Sequence, residues 1–340
     1  MQRPDRRQFL AAMAGLATAA TVPWHRAVAQ VAPYRIDVHH HIAPPDYVAE
    51  LAPQQLLQPQ WNGWSIQKDI EQMDQGGCAL SITSITTPGL WFGLHTHSRR
   101  LARMCNDFAA KLVADYPKRF GMFVNVPLPD IDGTLREIEY GLDTLKADGV
   151  SLFTSYGDKW LGDPAFEPVY QELNRRKAIV YTHPTANQCC ANLVPGIPDA
   201  LVEYGTDTSR AIMRILTTGT AQKYPDMKVI WSHGGGTMPF LLHRFRLQAR
   251  NPTMRQYFPN GFEPEAGKFF YDTAQVPNAA AMSALKHVVP VSQVLFGTDV
   301  PFGTATEIGE GLKASNVFTP AELHAIEREN ALELMPKYRS

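Results

Sequence analysis

A chain of 340 residues with 32 Lys and Arg against 33 Asp and Glu, a formal net charge of −1, gives no electrostatic reason to expect nucleic acid or an anionic membrane as a partner. Its length and even composition fit one sizeable α/β domain with a large core, not a string of small ones. Four cysteines, Cys78, Cys105, Cys189 and Cys190, are too few and too irregularly placed for a disulfide framework, and none is assigned any chemistry.

The first segment follows different rules from the rest. Arg6-Arg7-Gln8-Phe9-Leu10, a weakly apolar Ala/Gly/Thr stretch and Ala27-Val28-Ala29 before Gln30 read as a twin-arginine export signal over residues 1–29. About 14 weakly apolar residues fall short of the roughly 20 needed to span a bilayer, which favours cleavage over anchoring. The mature chain, residues 30–340, is then expected to be a single periplasmic domain with no membrane contact.

Eight short apolar runs follow, alternating with helix-like segments. They are Arg35 to His41, Ala79 to Thr86, Arg119 to Val126, Gly149 to Ser155, Ala178 to His183, Lys228 to His233, Lys268 to Thr273 and Val294 to Asp299. Near-continuous apolar strands separated by amphipathic helices are what a parallel sheet covered on its outer face requires, and eight of them predict a closed (β/α)8 TIM barrel. Between the first two runs, residues 43–66 form a long loop rich in Pro, Gln and Trp, expected to serve as a lid or substrate wall. The segment from Thr134 to Leu142 reads as a helix capped at Asp132 or Thr134 and ending near Asp148-Gly149. Tyr116-Pro117 and Tyr224-Pro225 mark two further helix ends.

Metal-type residues recur at the strand ends. In an extended Asp37-Val38-His39-His40-His41, His39 and His41 project to one side and His40 to the other. His183 closes the fifth run, His233 the sixth and Asp299 the eighth, all on the face where a (β/α)8 barrel builds its active site. A lone histidine there is more often a hydrogen-bonded packing residue than a ligand; agreement among four strand ends is what points to a metal. Three imidazoles and one carboxylate suit one borderline divalent cation, Zn²⁺ first, with Mn²⁺ or Fe²⁺ as alternatives. The fourth run ends without a Lys or Glu to bridge a second ion.

With these segments in place, the chain resembles the amidohydrolase superfamily, in the branch that contains 2-amino-3-carboxymuconate 6-semialdehyde decarboxylase. Arg35 to His41, Arg119-Phe120-Gly121, Val126-Pro127-Leu128-Pro129-Asp130, Leu161-Gly162-Asp163-Pro164 and His233-Gly234-Gly235-Gly236 are most similar to 6-methylsalicylate decarboxylases. The resemblance implies that His39, His41, His183 and Asp299 hold the metal and that His233 is an acid/base beside it. It also implies a homodimer in which Arg244, eleven positions after His233, reaches a neighbouring site to pair with a substrate carboxylate. The chain departs from the muconate-semialdehyde enzyme in having no Arg between His41 and Trp91, so a dicarboxylate is not expected.

Trp61, Trp64, Trp91 and Phe92 in the same stretch suit a flat apolar ring, and Tyr156, just past the fourth run, is a candidate hydrogen-bond donor at the site rim. The expected reaction is metal-dependent, non-oxidative decarboxylation of a small ortho-hydroxybenzoate, with His233 and Asp299 as proton carriers. The alternative is hydrolysis of an ester, lactone or amide by a metal-activated water. A metal- or ligand-binding protein without activity is a third reading, disfavoured by an acid/base outside the ligand set.

Overall fold

The computed structural model describes residues 34–339; the segment read as an export signal lies outside them. Eight parallel strands run in chain order: β1 Arg35–His41, β2 Cys78–Ser84, β3 Phe120–Asn125, β4 Gly149–Phe153, β5 Ile179–His183, β6 Lys228–Trp231, β7 Phe270–Asp272 and β8 Val294–Leu295. The ring closes through backbone bonds from Val38 N–H to Phe296 O (3.0 Å), Asp299 N–H to His39 O (2.8 Å) and His41 N–H to Val300 O (3.0 Å). This is the (β/α)8 barrel that the alternation of runs predicts.

Helices α1 Ile66–Gln75, α2 His95–Asp115, α3 Ile131–Glu139, α4 Glu167–Arg175, α5 Asp199–Thr217, α6 Leu242–Arg250, α7 Ala279–Val288 and α8 Ala305–Ala314 follow the strands in turn. None among the described residues is long and apolar enough to cross a membrane. Tyr116 and Tyr224 stand at helix ends as their prolines require. The α3 boundaries differ from expectation. Its cap is Asp130, whose carboxylate accepts the Gly133 N–H at 3.1 Å, and a wider turn over Tyr140–Thr144 ends it. Lys146, not Gly149, takes the left-handed conformation that follows. Gly149 already lies in β4, where a Cβ would come within 2.4 Å of the Ile179 carbonyl oxygen, so its glycine serves close strand packing.

An inner cluster fills the barrel: Ile36, Val38, Leu80, Ile82, Phe123, Tyr181, Ile230 and Leu295, with the Phe123 and Tyr181 rings stacked 5.3 Å apart. A strict two-residue period would send His39 and His41 to the face opposite Ile36 and Val38. A register shift between Asp37 and His40 against β2 breaks that period, and His39 and His41 enter the interior above Tyr181.

His40 faces away from that interior. Its Nδ1 lies 3.3 Å from Asp37 Oδ2 and its Nε2 3.2 Å from Asp69 Oδ2 on α1, all fully buried. Burial alone would lower its pKa, but its bonds to Asp37 and Asp69 outweigh that and push it up to about 9, so at neutral pH an imidazolium sits between two carboxylates. Replacing it leaves two buried like charges face to face. His40→Ala should therefore lower unfolding stability by about 3–5 kcal/mol in urea titrations of metal-saturated protein, whereas an exposed histidine such as His243 should change little on the same substitution.

Candidate metal centre

At the C-terminal end of the barrel, His39 and His41 from β1, His183 from β5 and Asp299 beyond β8 bring one ligand atom each to within 4.8 Å of one another, all buried. It is the one such cluster found among the described residues. His39 Nε2 and His41 Nε2 lie 3.0 Å apart, and Asp299 Oδ1 lies 3.1 Å and 3.2 Å from them and 4.0 Å from His183 Nε2.

The outward nitrogens explain why these rings point as they do. His39 Nδ1 bonds Asp272 Oδ2 at 2.8 Å, His41 Nδ1 meets Ser84 Oγ at 3.2 Å, and His183 Nδ1 donates to the Pro184 carbonyl at 2.8 Å. A ring whose Nδ1 carries the proton presents its Nε2 lone pair inward. Three lone pairs and a carboxylate oxygen then face one small space, and Asp299 Oδ1 is buried without a hydrogen bond of acceptable geometry despite its near nitrogens. That arrangement is repulsive unless a positive charge occupies the centre.

The titration of the cluster says the same. Burial would depress His39, but Asp272 and Asp299 outweigh it and push its pKa up to about 10, so the carboxylates hold a proton where a cation would stand. Burial and the neighbouring imidazoles take His41 down to about 4 and His183 well below its ordinary value. Burial opposes ionisation of Asp299, yet His39 and the bonds from His233, His39 and His41 hold its carboxyl well below the usual range. The donor set fits one divalent metal ion.

His233 stands beside the ligands. Its Nε2 meets Asp299 Oδ2 at 3.2 Å and its backbone N–H donates to Asp272 Oδ1 at 2.8 Å. β6 ends at Trp231 and β8 at Leu295, so His233 and Asp299 leave their strands earlier than the sequence suggests, and both take left-handed backbone, φ 54° and 65°. Gly297 permits the second departure: a Cβ there would lie 2.9 Å from the Cβ atoms of both His39 and Asp272.

His183, His233 and Asp299 open onto a cavity of about 490 Å³ whose wall includes Gln58, Thr87, Leu201, Tyr204, Val276 and Phe302. A larger depression, about 650 Å³, lies at the opposite end of the barrel around Gly149, Ile179 and Lys228 and holds none of the cluster. The first loop contributes Gln58 to the cavity wall. Its Trp61 is instead buried against Trp64 and Phe302. Trp91 and Tyr156 line a separate cavity of about 230 Å³, and Tyr156 Oη accepts the Phe153 N–H at 2.8 Å, which turns it away from the metal ligands. Arg244 is exposed on α6 and does not line the cavity of its own chain. Cys189 and Cys190 are joined as a vicinal disulfide in a turn closed by Cys190 N–H to Asn187 O (2.7 Å).

Three residues were not read from the sequence. Asp272 orients both His39 and His233; it ends β7 as His41 ends β1 and His183 ends β5, and that position was the available signal. Phe302, three residues past Asp299, is an apolar aromatic ring that faces the cavity. Tyr204 reaches the site from the second turn of an amphipathic helix, where nothing in the sequence distinguishes it from packing.

The amidohydrolase family model matches residues 36–337. A 6-methylsalicylic acid decarboxylase of Penicillium expansum is 35% identical over 325 residues, 90% of this chain and 97% of that protein. Among solved structures, an amidohydrolase II superposes with TM-score 0.82 at 26% identity, over 89% of this chain and 99% of its own. A dihydroxybenzoic acid decarboxylase from Polaromonas sp., solved with manganese and 2-nitroresorcinol, gives TM-score 0.75 at 21% identity over 90% and 98%.

Because Asp272 fixes the tautomer of one ligand without touching the ion, its loss should weaken the site without dismantling it. Asp272→Asn is expected to lower metal affinity by about 10–100-fold in competition against a chromophoric chelator, and His183→Ala to abolish stoichiometric binding. Unchanged affinity in Asp272→Asn would mean that the ring is oriented by packing alone.

Proposed function

This chain belongs to the amidohydrolase family, and from that membership we propose that it is a metal-dependent, non-oxidative decarboxylase of a small aromatic acid, an ortho-hydroxybenzoate such as 6-methylsalicylate. The observation that carries the reading is His233: an imidazole that opens onto the cavity beside the metal ligands yet outside the ligand cluster. The activity named for the Penicillium expansum relative favours carbon–carbon cleavage over hydrolysis.

When bound, the divalent ion would draw electron density from the oxygens of the acid. The chain's own residues do the rest. Phe302 and Val276 give the ring apolar walls and limit water around it. The His233 Nε2 proton, held against Asp299 Oδ2 at 3.2 Å, is transferred to the ring carbon that bears the carboxylate. The bond from that carbon to the carboxylate then breaks, its electron pair returns to the ring, and CO₂ departs, leaving a phenol. The Asp299 carboxylate is placed to stabilise the imidazolium, and solvent entering the emptied cavity returns the proton that His233 has given up. Zn²⁺ is the proposed ion, supported by three imidazole donors; the manganese of the Polaromonas relative makes Mn²⁺ the alternative.

A homodimer belongs to the same reading. Arg244 is exposed on α6 close in sequence to exposed Phe240 and Leu247, and Leu201 and Val202 are exposed at the start of α5, which touches the adjoining turn through Thr237 N–H to Gly205 O (3.1 Å). Association over these apolar residues would carry Arg244 toward the cavity of a neighbouring copy, where a guanidinium suits a carboxylate.

Metal-loaded protein should release CO₂ from 6-methylsalicylate, lose that activity to a chelator and regain it with Zn²⁺ or Mn²⁺, the better ion identifying the cofactor. His233→Ala should cut kcat by about 10²–10⁴-fold with metal content unchanged; loss of the metal as well would make His233 a ligand. Sedimentation should report a dimer that Phe240→Glu dissociates, while Arg244→Ala should stay dimeric with a raised KM. A monomeric wild type would remove Arg244 from the mechanism.

A further inference from the structure

Apart from its histidines, the cavity is lined by a single charged group, Asp299, and by no lysine or arginine of its own chain. Beyond His233, a substrate carboxylate therefore meets only neutral donors from the chain that surrounds it. One lining hydroxyl is already engaged, Thr237 Oγ1 with Ser209 Oγ at 2.9 Å, while Thr86 Oγ1 lies 3.4 Å from His183 Nε2, the nitrogen turned toward the metal site. Three other residues form a short relay. Gln58 Nε2 donates to Thr87 Oγ1 at 2.9 Å, and Thr87 Oγ1 lies 3.2 Å from Tyr204 Oη.

A hydroxyl has one proton to give. With the Gln58 amide donating into Thr87, either hydroxyl of the Thr87–Tyr204 pair can donate, and the direction that frees the phenol proton for the cavity is the one in which Thr87 donates to Tyr204 Oη. The Tyr204 proton is then left with no acceptor inside the relay and a cavity in front of it. The Tyr204 ring stands edge-on to His183 with centroids 6.2 Å apart, which sets the phenol beside the metal ligands and not at the outer rim. Gln58 comes from the first loop, Thr87 from the turn after β2 and Tyr204 from α5, so three separate segments converge on one donor.

We infer that Tyr204 is a substrate-binding residue whose hydroxyl donates to the carboxylate of the aromatic acid, and that Gln58 and Thr87 set the direction of its proton. The identity of the acid rests on the decarboxylase reading above; the relay itself does not. A donor aimed at the carboxylate distinguishes substrate from product, because the phenol left after CO₂ departs has nothing at that position for Tyr204 to hold.

The test uses metal-loaded enzyme with 6-methylsalicylate as substrate and 3-methylphenol, its decarboxylated product, as competitive inhibitor. Tyr204→Phe removes one hydrogen bond to a charged group and should raise KM about tenfold to a hundredfold, with the inhibition constant of 3-methylphenol unchanged within about twofold. Thr87→Val should raise KM in the same direction, and Thr87→Ser, which keeps the hydroxyl, should restore it. An unchanged KM in Tyr204→Phe, or equal weakening of acid and phenol, overturns the inference, the latter because it reports a change of cavity shape. If the wild type releases no CO₂ from any hydroxybenzoate, the decarboxylase reading fails on its own. Calorimetric binding of salicylate to wild type and Tyr204→Phe then still decides the relay, equal affinities overturning it and a tenfold loss supporting it.

Discussion

Asp272 is the point on which the rest of the site depends. It is fully buried, and its two oxygens divide the work: Oδ2 takes the His39 Nδ1 proton, while Oδ1 takes the backbone N–H groups of His233 and Ala274. A buried carboxylate needs this degree of satisfaction to be tolerated. In meeting its own requirement it fixes the tautomer of a metal ligand and the position of the proposed acid together. The separation of roles between His39 and His233, one binding and one free to move a proton, therefore originates in a residue that does neither.

Negative charge is concentrated at the barrel mouth, and the fold distributes its compensation. Asp37 is answered by His40 on one side and by Thr298 on the other, through Thr298 N–H (3.0 Å) and Thr298 Oγ1 (2.6 Å). Those two bonds tie β1 to the turn that presents Asp299. The acid that steadies His40 thus also positions a metal ligand whose own compensation is a cation. Isolated carboxylates in a dry interior would cost several kcal/mol each, and Asp37 and Asp272 meet that cost by bonds that also position the site.

The eight strands were legible because parallel barrel strands are apolar on both faces and read as continuous runs, and the ligands because His39, His41 and His183 terminate such runs. What could not be read follows from geometry that has no local sequence signature. The register shift after Asp37 reverses which β1 residues face inward, and it is visible only against β2. Trp91 and Tyr156 have the right chemistry and the right approximate position, yet both line a neighbouring cavity, Trp91 from the segment after β2 and Tyr156 from the turn after β4. Tyr204 enters from a helix and Gln58 from an irregular loop, and neither position obeys a strand-end rule.

The left-handed backbone at His233 and Asp299 shows why the strand-end rule works only approximately. A strand delivers alternate side chains to the interior, so one strand end supplies at most one well-aimed ligand per two residues. Leaving the strand early frees the last side chain from that alternation, at a cost of about 1–2 kcal/mol for a non-glycine residue in the left-handed region. At Asp299 the cost is offset by its N–H to His39 O (2.8 Å) and by its carbonyl, which accepts from Phe302 (2.7 Å) and Gly303 (3.1 Å). Those same bonds curl the chain so that Phe302 faces the cavity. Aiming a ligand and walling the substrate pocket are therefore one conformational event, and a substitution that relaxed the turn at Asp299 would disturb both together.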